Sequence, residues 1–581
     1  MANNYRAKMA AVLMLAGAGL TGTALFGAAM AQNSGSPIPV EVETESFGQD
    51  SFALGTLSAA KGAMPRDLWQ GASASDVAYL LDNLPTRLDH PAQTESYKRL
   101  LLSPGSSPRG ADNVLTGKKL MVLARIGFYE QAASLAGLAG NIEGEPELAE
   151  AIAYAAMMDG DMTGACQRGE TLLRGRDRPF WLKLRLLCYG ATGENAAADL
   201  TFGLLQEASD LSDIDIKLFN AIATGQKPRK SVAPVDGFHY AAMRQLELPL
   251  KGDMLEKAEG AVFTALARDK AAPPEMRAAS AMRMAAHGVI STDELASIFA
   301  SMEFETEQLA DAVKIQKRDR DNLLVDALVF QASKLAMDGG NFDKESLIGT
   351  ALRNASDPYR FQALAGLYYR DVQQFSVVQN YAPWAGEFAL VGIAMKDRDL
   401  VERWVGALLF DQSAEQPQEA ALSLLALTSM WQRSAADYIS SVYGLPTVST
   451  PTAMASFPAP RGSSASLARL VAIAINAAEA RSKGVEGLLA MTGMGLGGSG
   501  ELAAIRDTIA GRAMQKSGLD IINQQIAFTQ VFGETHHFIA QRKRMTGGLP
   551  DDGGAANGDK VEHANAASDM VIPRLKPQRR G

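Results

Sequence analysis

The sequence has little of the residue chemistry on which catalysis and metal binding draw. Its 581 residues include two cysteines, six histidines and 7% aromatics. His90, His239, His287 and His563 are scattered, with no cysteine or carboxylate framework around them. The adjacent pair His536–His537 would place two rings about 100° apart on a helix, whereas a metal clamp uses positions i and i+4. No metal site is expected. His-Glu-x-x-His, Gly-x-Ser-x-Gly and Walker sequences are absent, which excludes the enzymes those motifs define. Gly493–Met–Gly495–Leu–Gly497–Gly–Ser–Gly500 is glycine-rich, but a helical pattern precedes it and no Gly-Lys-Ser/Thr follows. It reads as a helix connection and not as a phosphate cradle. No cofactor is expected, and no residue is singled out as catalytic. Basic residues do not outnumber acidic ones: 56 against 65, a net charge of -9. That leaves no basic field for nucleic acid. β-Branched runs are scarce and alanine is abundant, a mixture that favours helix.

The first 31 residues have the pattern of an export signal: Arg6 and Lys8, an apolar stretch from Met9 to Met30, and a small-x-small site at Ala29–Met–Ala31. The alternative is an uncleaved anchor, because 22 uncharged residues suffice to span a bilayer. Gly17, Gly19, Gly22 and Gly27 within the stretch favour cleavage. On either reading the remaining chain lies outside the cytoplasm, periplasmic or otherwise exported, or else anchored at the inner membrane with its bulk in the periplasm. No later segment is long and apolar enough to span a membrane.

What the sequence does have is a period. Gly127–Phe–Tyr–Glu–Gln–Ala132, Gly160–Asp–Met–Thr–Gly–Ala165 and Gly193–Glu–Asn–Ala–Ala–Ala198 follow one another at steps of 33 residues, and Pro146 and Pro179 keep the same step. A fixed period of this size implies stacked helical hairpins, none able to bury its apolar face alone. First helices are expected over Lys118–Ile126, Leu148–Met158 and Trp181–Tyr189. The glycine of each turn suits a C-cap with positive φ, and the alanine five residues on suits a close helix crossing.

The layout resembles tetratricopeptide repeats, most closely in Gly127–x–Tyr129–Glu130–x–Ala132 with Ala139 seven residues beyond, and with Phe202 at the family's aromatic position in the third unit. The period is 33 where the family uses about 34, and most of the family's first-helix Trp and Gly positions are unmatched. The resemblance covers three units and implies a groove for a peptide or partner protein.

Around the repeats the expected fold is all-α, an irregular solenoid of helical hairpins with disordered termini. After the signal, residues 32–66 read as a flexible lead-in, 67–110 as a short helical opening element and 111–224 as the repeats. A basic, proline-bearing connector (225–236) leads to an irregular hairpin array (237–443), with starts at Ser291–Thr–Asp–Glu294 and Ser356–Asp–Pro358. Residues 444–465 form a Pro/Ser-rich linker, 466–545 a C-terminal helical segment and 546–581 a disordered tail.

The two cysteines carry a sharper expectation. Cys166 falls early in the second helix of one repeat and Cys188 late in the first helix of the next, each 11 residues from Asp177. Antiparallel helices about that connection bring both to one level, so a disulfide is expected in an oxidising compartment. The densest aromatic stretch, from Tyr359 to Trp384, offers Tyr359, Tyr368, Tyr369 and Trp384 as groove aromatics, the other reading being burial.

These features favour an exported helical-repeat scaffold or adaptor of the bacterial cell envelope, binding envelope proteins or peptides without catalysis. The membrane enters only through the N-terminal segment, if uncleaved. A second reading is a cell-wall or polysaccharide-active enzyme. Soluble lytic transglycosylases also place a helical superstructure in the envelope, and Glu95–Ser96 and Glu345–Ser346 match their Glu-Ser dipeptide, though neither is followed by a Gly-Leu-Met-Gln-like segment. A third is a lipid- or small-molecule-binding superhelix. N-terminal sequencing of the mature exported protein is expected to begin at Gln32; an intact Met1 or Ala2 terminus in the membrane fraction would establish the anchor instead.

Overall fold

Helix starts are written into the chain as capping residues. Asp112, Asp161, Asp236, Ser291 and Asp397 each accept a hydrogen bond from a backbone N–H two or three residues into the helix that follows. Ser212 and Asp215 form a reciprocal capping box. Proline opens six further helices at the first position, where its missing N–H is not needed.

The computed structural model describes residues 50–140, 144–229, 232–335, 344–377, 383–451, 466–494, 512–513, 516–517 and 520–541. Among the described residues the protein is all-helical, the one extended pairing being an isolated bridge between Ser73 and Arg109. Helices α1 (Ala74–Asp82) and α2 (Pro91–Leu102) precede α3 (Asn113–Arg125), α4 (Tyr129–Leu138), α5 (Pro146–Met158), α6 (Met162–Thr171), α7 (Pro179–Thr192), α8 (Asn195–Ala208) and α9 (Asp213–Thr224). There follow α10 (Gly237–Gln245), α11 (Gly260–Arg268), α12 (Pro274–Ala286), α13 (Thr292–Ala300), α14 (Thr306–Ala310), α15 (Ala312–Arg318) and α16 (Leu323–Leu335). The remainder are α17 (Lys344–Asn354), α18 (Pro358–Gln374), α19 (Ala385–Met395), α20 (Arg398–Leu409), α21 (Pro417–Trp431), α22 (Arg433–Tyr443), α23 (Leu467–Ala480), α24 (Lys483–Met494) and α25 (Asp520–Ala540).

From α3 to α9 each helix packs on its successor, and α3 also touches α5. The turn glycines take the expected left-handed backbone: φ is +108° at Gly127, +85° at Gly160 and +76° at Gly193. The alanines five residues on, Ala132, Ala165 and Ala198, are fully buried. Both features follow from the same 33-residue period.

Two expectations are corrected. The lead-in is packed, not flexible, from Ser51 to residue 66: Phe52, Leu57 and Met64 are buried. The cause is Lys119, whose buried ammonium donates to the carbonyls of Phe52 and Leu54 at 2.8 Å each and lies 4.8 Å from the Phe52 ring. Burial pushes that ammonium down to about 7. The C-terminal helices, in turn, do not extend a linear array. α24 and α25 pack on α2, and α24 also on α1. Gly484 N–H donates to Leu68 O at 2.7 Å, Arg469 pairs with Asp76 at 2.7 Å, and His90 Nε2 lies 3.3 Å from Thr529 Oγ1. A solenoid contacts only sequence neighbours, so these long-range contacts depart from that pattern. The linker expected over 444–465, the glycine-rich run beyond Met494 and the tail lie largely or wholly outside the described residues.

Helices α3 and α5 meet α10 and α11 at a buried carboxylate. Glu259, just before α11, accepts from Arg125 Nε at 2.8 Å, from Gly237 N–H at 3.0 Å and from the Tyr154 hydroxyl. It thereby ties α3, α5, α10 and α11 together. Burial pushes the Glu259 carboxyl above the usual carboxylate range, and Arg125 pulls it back. Asp326 and Arg360 form a second buried pair, bidentate at 2.8 and 2.9 Å, between α16 and α18. Removing one partner of such a pair leaves the others desolvated and unsatisfied. Glu259→Ala is expected to lower the unfolding free energy by roughly 3–5 kcal/mol in denaturant titrations; a loss under about 1 kcal/mol would mean the network contributes little.

Candidate binding groove

Where α6, α7 and α8 meet, the repeat hairpins leave an open groove with a volume of about 650 Å³. Its floor is α7, with Trp181, Leu184 and Cys188; α6 supplies Cys166 and Gly169 on one side and α8 supplies Leu204 and Glu207 on the other. Gly169 faces the Trp181 ring, which a Cβ there would meet at ordinary van der Waals distance, 3.4 Å. Trp181 is buried, and its indole N–H has no hydrogen-bond partner among the described residues. Cys166 and Cys188 sit at disulfide distance, S–S 1.97 Å and Cα–Cα 5.9 Å, in the groove wall.

That cysteine pair matters because α6 has little else to hold it. Ala165 is the one buried residue of this helix. Closing a 22-residue separation by a disulfide is worth about 3 kcal/mol in chain-entropy terms, enough to fix the wall. One exposed leucine, Leu204 at 45%, lines the groove. Arg176 and Arg185 are tied to backbone carbonyls, Arg176 Nε to Leu172 O at 2.8 Å and Arg185 Nη2 to Arg176 O at 3.0 Å. The groove thus combines an apolar floor with charges of both signs, Arg176 and Arg185 with Glu170, Asp177 and Glu207. Sequence reasoning placed the cysteines but missed the groove; Leu204, exposed on a helix whose inner face is Ala198, Phe202 and Leu205, was its signal.

The aromatics expected in a groove are not gathered in one. Tyr368 is fully buried against Phe330, Tyr369 donates to Asp397 at 3.0 Å, and Trp384 lies beside Gly349 with Arg353 5.9 Å from its ring. Tyr359 and Tyr368 are nine residues apart on α18 and so face opposite sides. Glu95 is held by Arg99 at 2.7 Å and Lys98 at 3.4 Å, and Ser96 donates to Ala92 O. Glu345 lies in the first turn of α17. No group of three or more metal-ligating side chains occurs among the described residues.

The histidines, in contrast, are less scattered than the sequence implies. His90 and His287 both lie against Tyr359, with ring centroids at 5.6 and 6.3 Å. Thr94 Oγ1 meets His287 Nδ1 at 2.8 Å, and His90 Nδ1 accepts from Ala92 N–H at 3.0 Å. Burial pushes His90 down to about 4 and His287 well below its ordinary value, Arg283 adding to the latter. Both stay neutral in the fold, while the unfolded chain takes up protons near pH 6.5. Their contribution is therefore complete above about pH 6.5 and is lost as pH falls towards 4. Glu150, raised to about 7 by burial, acts in the opposite direction, so the test compares two proteins that share it. In urea melts from pH 7 to 4, the stability of His90→Asn, which keeps a capping side chain, is expected to gain on the native protein by on the order of 3 kcal/mol. Parallel pH profiles would show that His90 does not resist protonation.

No family model, curated protein or solved structure matches this chain.

Proposed function

We propose that this chain is an exported, non-catalytic helical-repeat protein of the cell envelope that holds or assembles other proteins, with the α6–α8 groove as its docking surface. The observation that carries the reading is the groove itself: exposed Leu204 and a floor of Trp181 and Leu184, rimmed by charged side chains, with the cysteine pair in its wall. Exposed apolar area rimmed by polar groups is what a protein partner covers.

The tetratricopeptide-like reading of α3–α8 is supported by the left-handed turn glycines and the buried alanines at one period. A solenoid description is proposed for this stretch alone. An oxidising compartment such as the periplasm is supported by the paired cysteines and by the signal pattern of residues 1–31. No described helix is long and apolar enough to cross a membrane.

The test is site-specific photocrosslinking in the native envelope, with the probe at Leu204 in the groove or at Lys314, an exposed position on α15. A discrete adduct is expected from position 204 and not from 314. It is expected to weaken when Cys188→Ser frees α6. Absence of adducts at 204, or muropeptide cleavage by the purified protein, would overturn the reading.

A further inference from the structure

A second cavity lies far along the chain from the groove, where five segments converge. The start of α2, the first half of α18, the end of α19, the end of α21 and the body of α25 line a pocket of about 90 Å³ that is partly open to solvent. Ile393, Leu427, Met430 and Phe528 make its wall largely apolar. Its polar groups are few and incompletely satisfied. The Trp431 indole N–H, a donor, and Gln525 Oε1, an acceptor, are both buried without a hydrogen-bond partner among the described residues. Buried polar atoms of a native fold are ordinarily paired, so the Trp431 donor marks a place for a ligand's acceptor atom, and Gln525 Oε1 a place for a donor, which an acylated amino acid's amide N–H supplies and a simple carboxylate does not.

One lining residue carries a full charge. Lys396 forms the C-cap of α19 with φ +56°, a left-handed backbone that disfavours a side chain. The chain puts glycine in that conformation at the caps of α7, α9 and α22, although Arg481 shares it with Lys396. Lys396 has no ion-pair partner among the described residues. Glu95, the acid whose field reaches it, is engaged by Arg99 and Lys98. Lys396 is exposed as a residue, and partial desolvation of its ammonium, reinforced by Arg99, lowers it from its ordinary value. No Asp or Glu lines the cavity, and His90 stays neutral there. The field inside favours an anion.

We infer that this cavity binds a small aliphatic carboxylate, its hydrocarbon body against Ile393, Leu427 and Phe528 and its carboxylate between Lys396 and the Trp431 N–H. A cavity of roughly 150 Å³ takes a benzene ring, so a body of about four carbons fits this smaller one. A carboxylate of this kind arises from a free short-chain acid or from the C-terminus of a peptide ending in a small apolar residue. The chemistry is shared, and the probes separate the sources.

The full-length mature protein is titrated with butyrate, with acetyl-valine as a stand-in for a peptide terminus, and with butanol as the uncharged control. Binding is followed by calorimetry and by the emission of Trp431, isolated as the difference between native protein and Trp431→Phe. Saturable binding of butyrate or acetyl-valine is expected, with butanol at least tenfold weaker. Lys396→Met is expected to weaken the acid about tenfold, the effect of one lost charge-assisted hydrogen bond, without altering butanol. If Lys396→Met proves unstable, Lys396→Gly removes the charge while relieving the backbone, and the same loss is expected. Butyrate preferred over acetyl-valine assigns a free acid; the reverse assigns a chain terminus. No saturable heat with either acid, equal binding of acid and alcohol, or unchanged acid binding in both Lys396 variants would overturn the inference.

Discussion

The Glu259 carboxylate is the interaction on which the two halves of the fold depend. The repeat hairpins and the array beyond residue 237 have separate periodic logics, and no continuous helix bridges them. A buried acid sits at their junction, taking hydrogen bonds from Arg125 at the end of α3, from Tyr154 in α5 and from the N-terminus of α10, beside the Asp215–His239 and Arg268–Glu130 contacts that also cross it. A desolvated charge with three donors is directional in a way apolar contact is not: only one placement of α10 and α11 satisfies it. Gly260 next to it makes that placement possible, since a Cβ there would collide with the Ile126 carbonyl.

Close approach of this kind recurs because the chain has few large side chains with which to fill space. With 7% aromatics, helices must come near one another to exclude water, and small residues set the distance. Gly117 admits Glu147 between α3 and α5, Gly190 admits Ile222 between α7 and α9, and Gly484 seats the Trp69 ring. The aromatics that do occur are placed at the joints. Trp69 meets the returning C-terminal helices, and Trp404 packs on Phe388 between α20 and α19.

The parts legible in the sequence were those governed by local rules. A turn glycine, a crossing alanine and a proline at a helix start each act within about one helical turn, so Gly127, Gly160 and Gly193 could be read directly. The cysteine pairing was readable for the same reason, through the symmetry of a single hairpin about Asp177. What could not be read depends on long-range closure. Residues 50–66 are polar enough to suggest a flexible lead, yet Lys119, more than fifty residues on, holds Phe52 and Leu54 in place. Nothing near residue 90 announces that α25 will return to it. The groove aromatics failed on geometry: density along the chain says nothing about which side of α18 each ring takes, and nine residues turn Tyr368 away from Tyr359.

The two candidate sites follow from these two kinds of order. The α6–α8 groove belongs to three consecutive helices, its wall holding the cysteine pair and its floor the buried Trp181 and Leu184 of α7. Its shape is set locally, and Leu204 is exposed at its side. The small cavity belongs to the closure, assembled from residues more than four hundred positions apart in sequence. Such a cavity exists only when α25 is docked on α2. A ligand that fills it therefore stabilises the docked arrangement by mass action, in proportion to its concentration over its dissociation constant. Occupancy of the pocket and seating of the C-terminal helices are thus one equilibrium, and on the inference drawn above the returning helices are the part of the molecule that a small anion tightens.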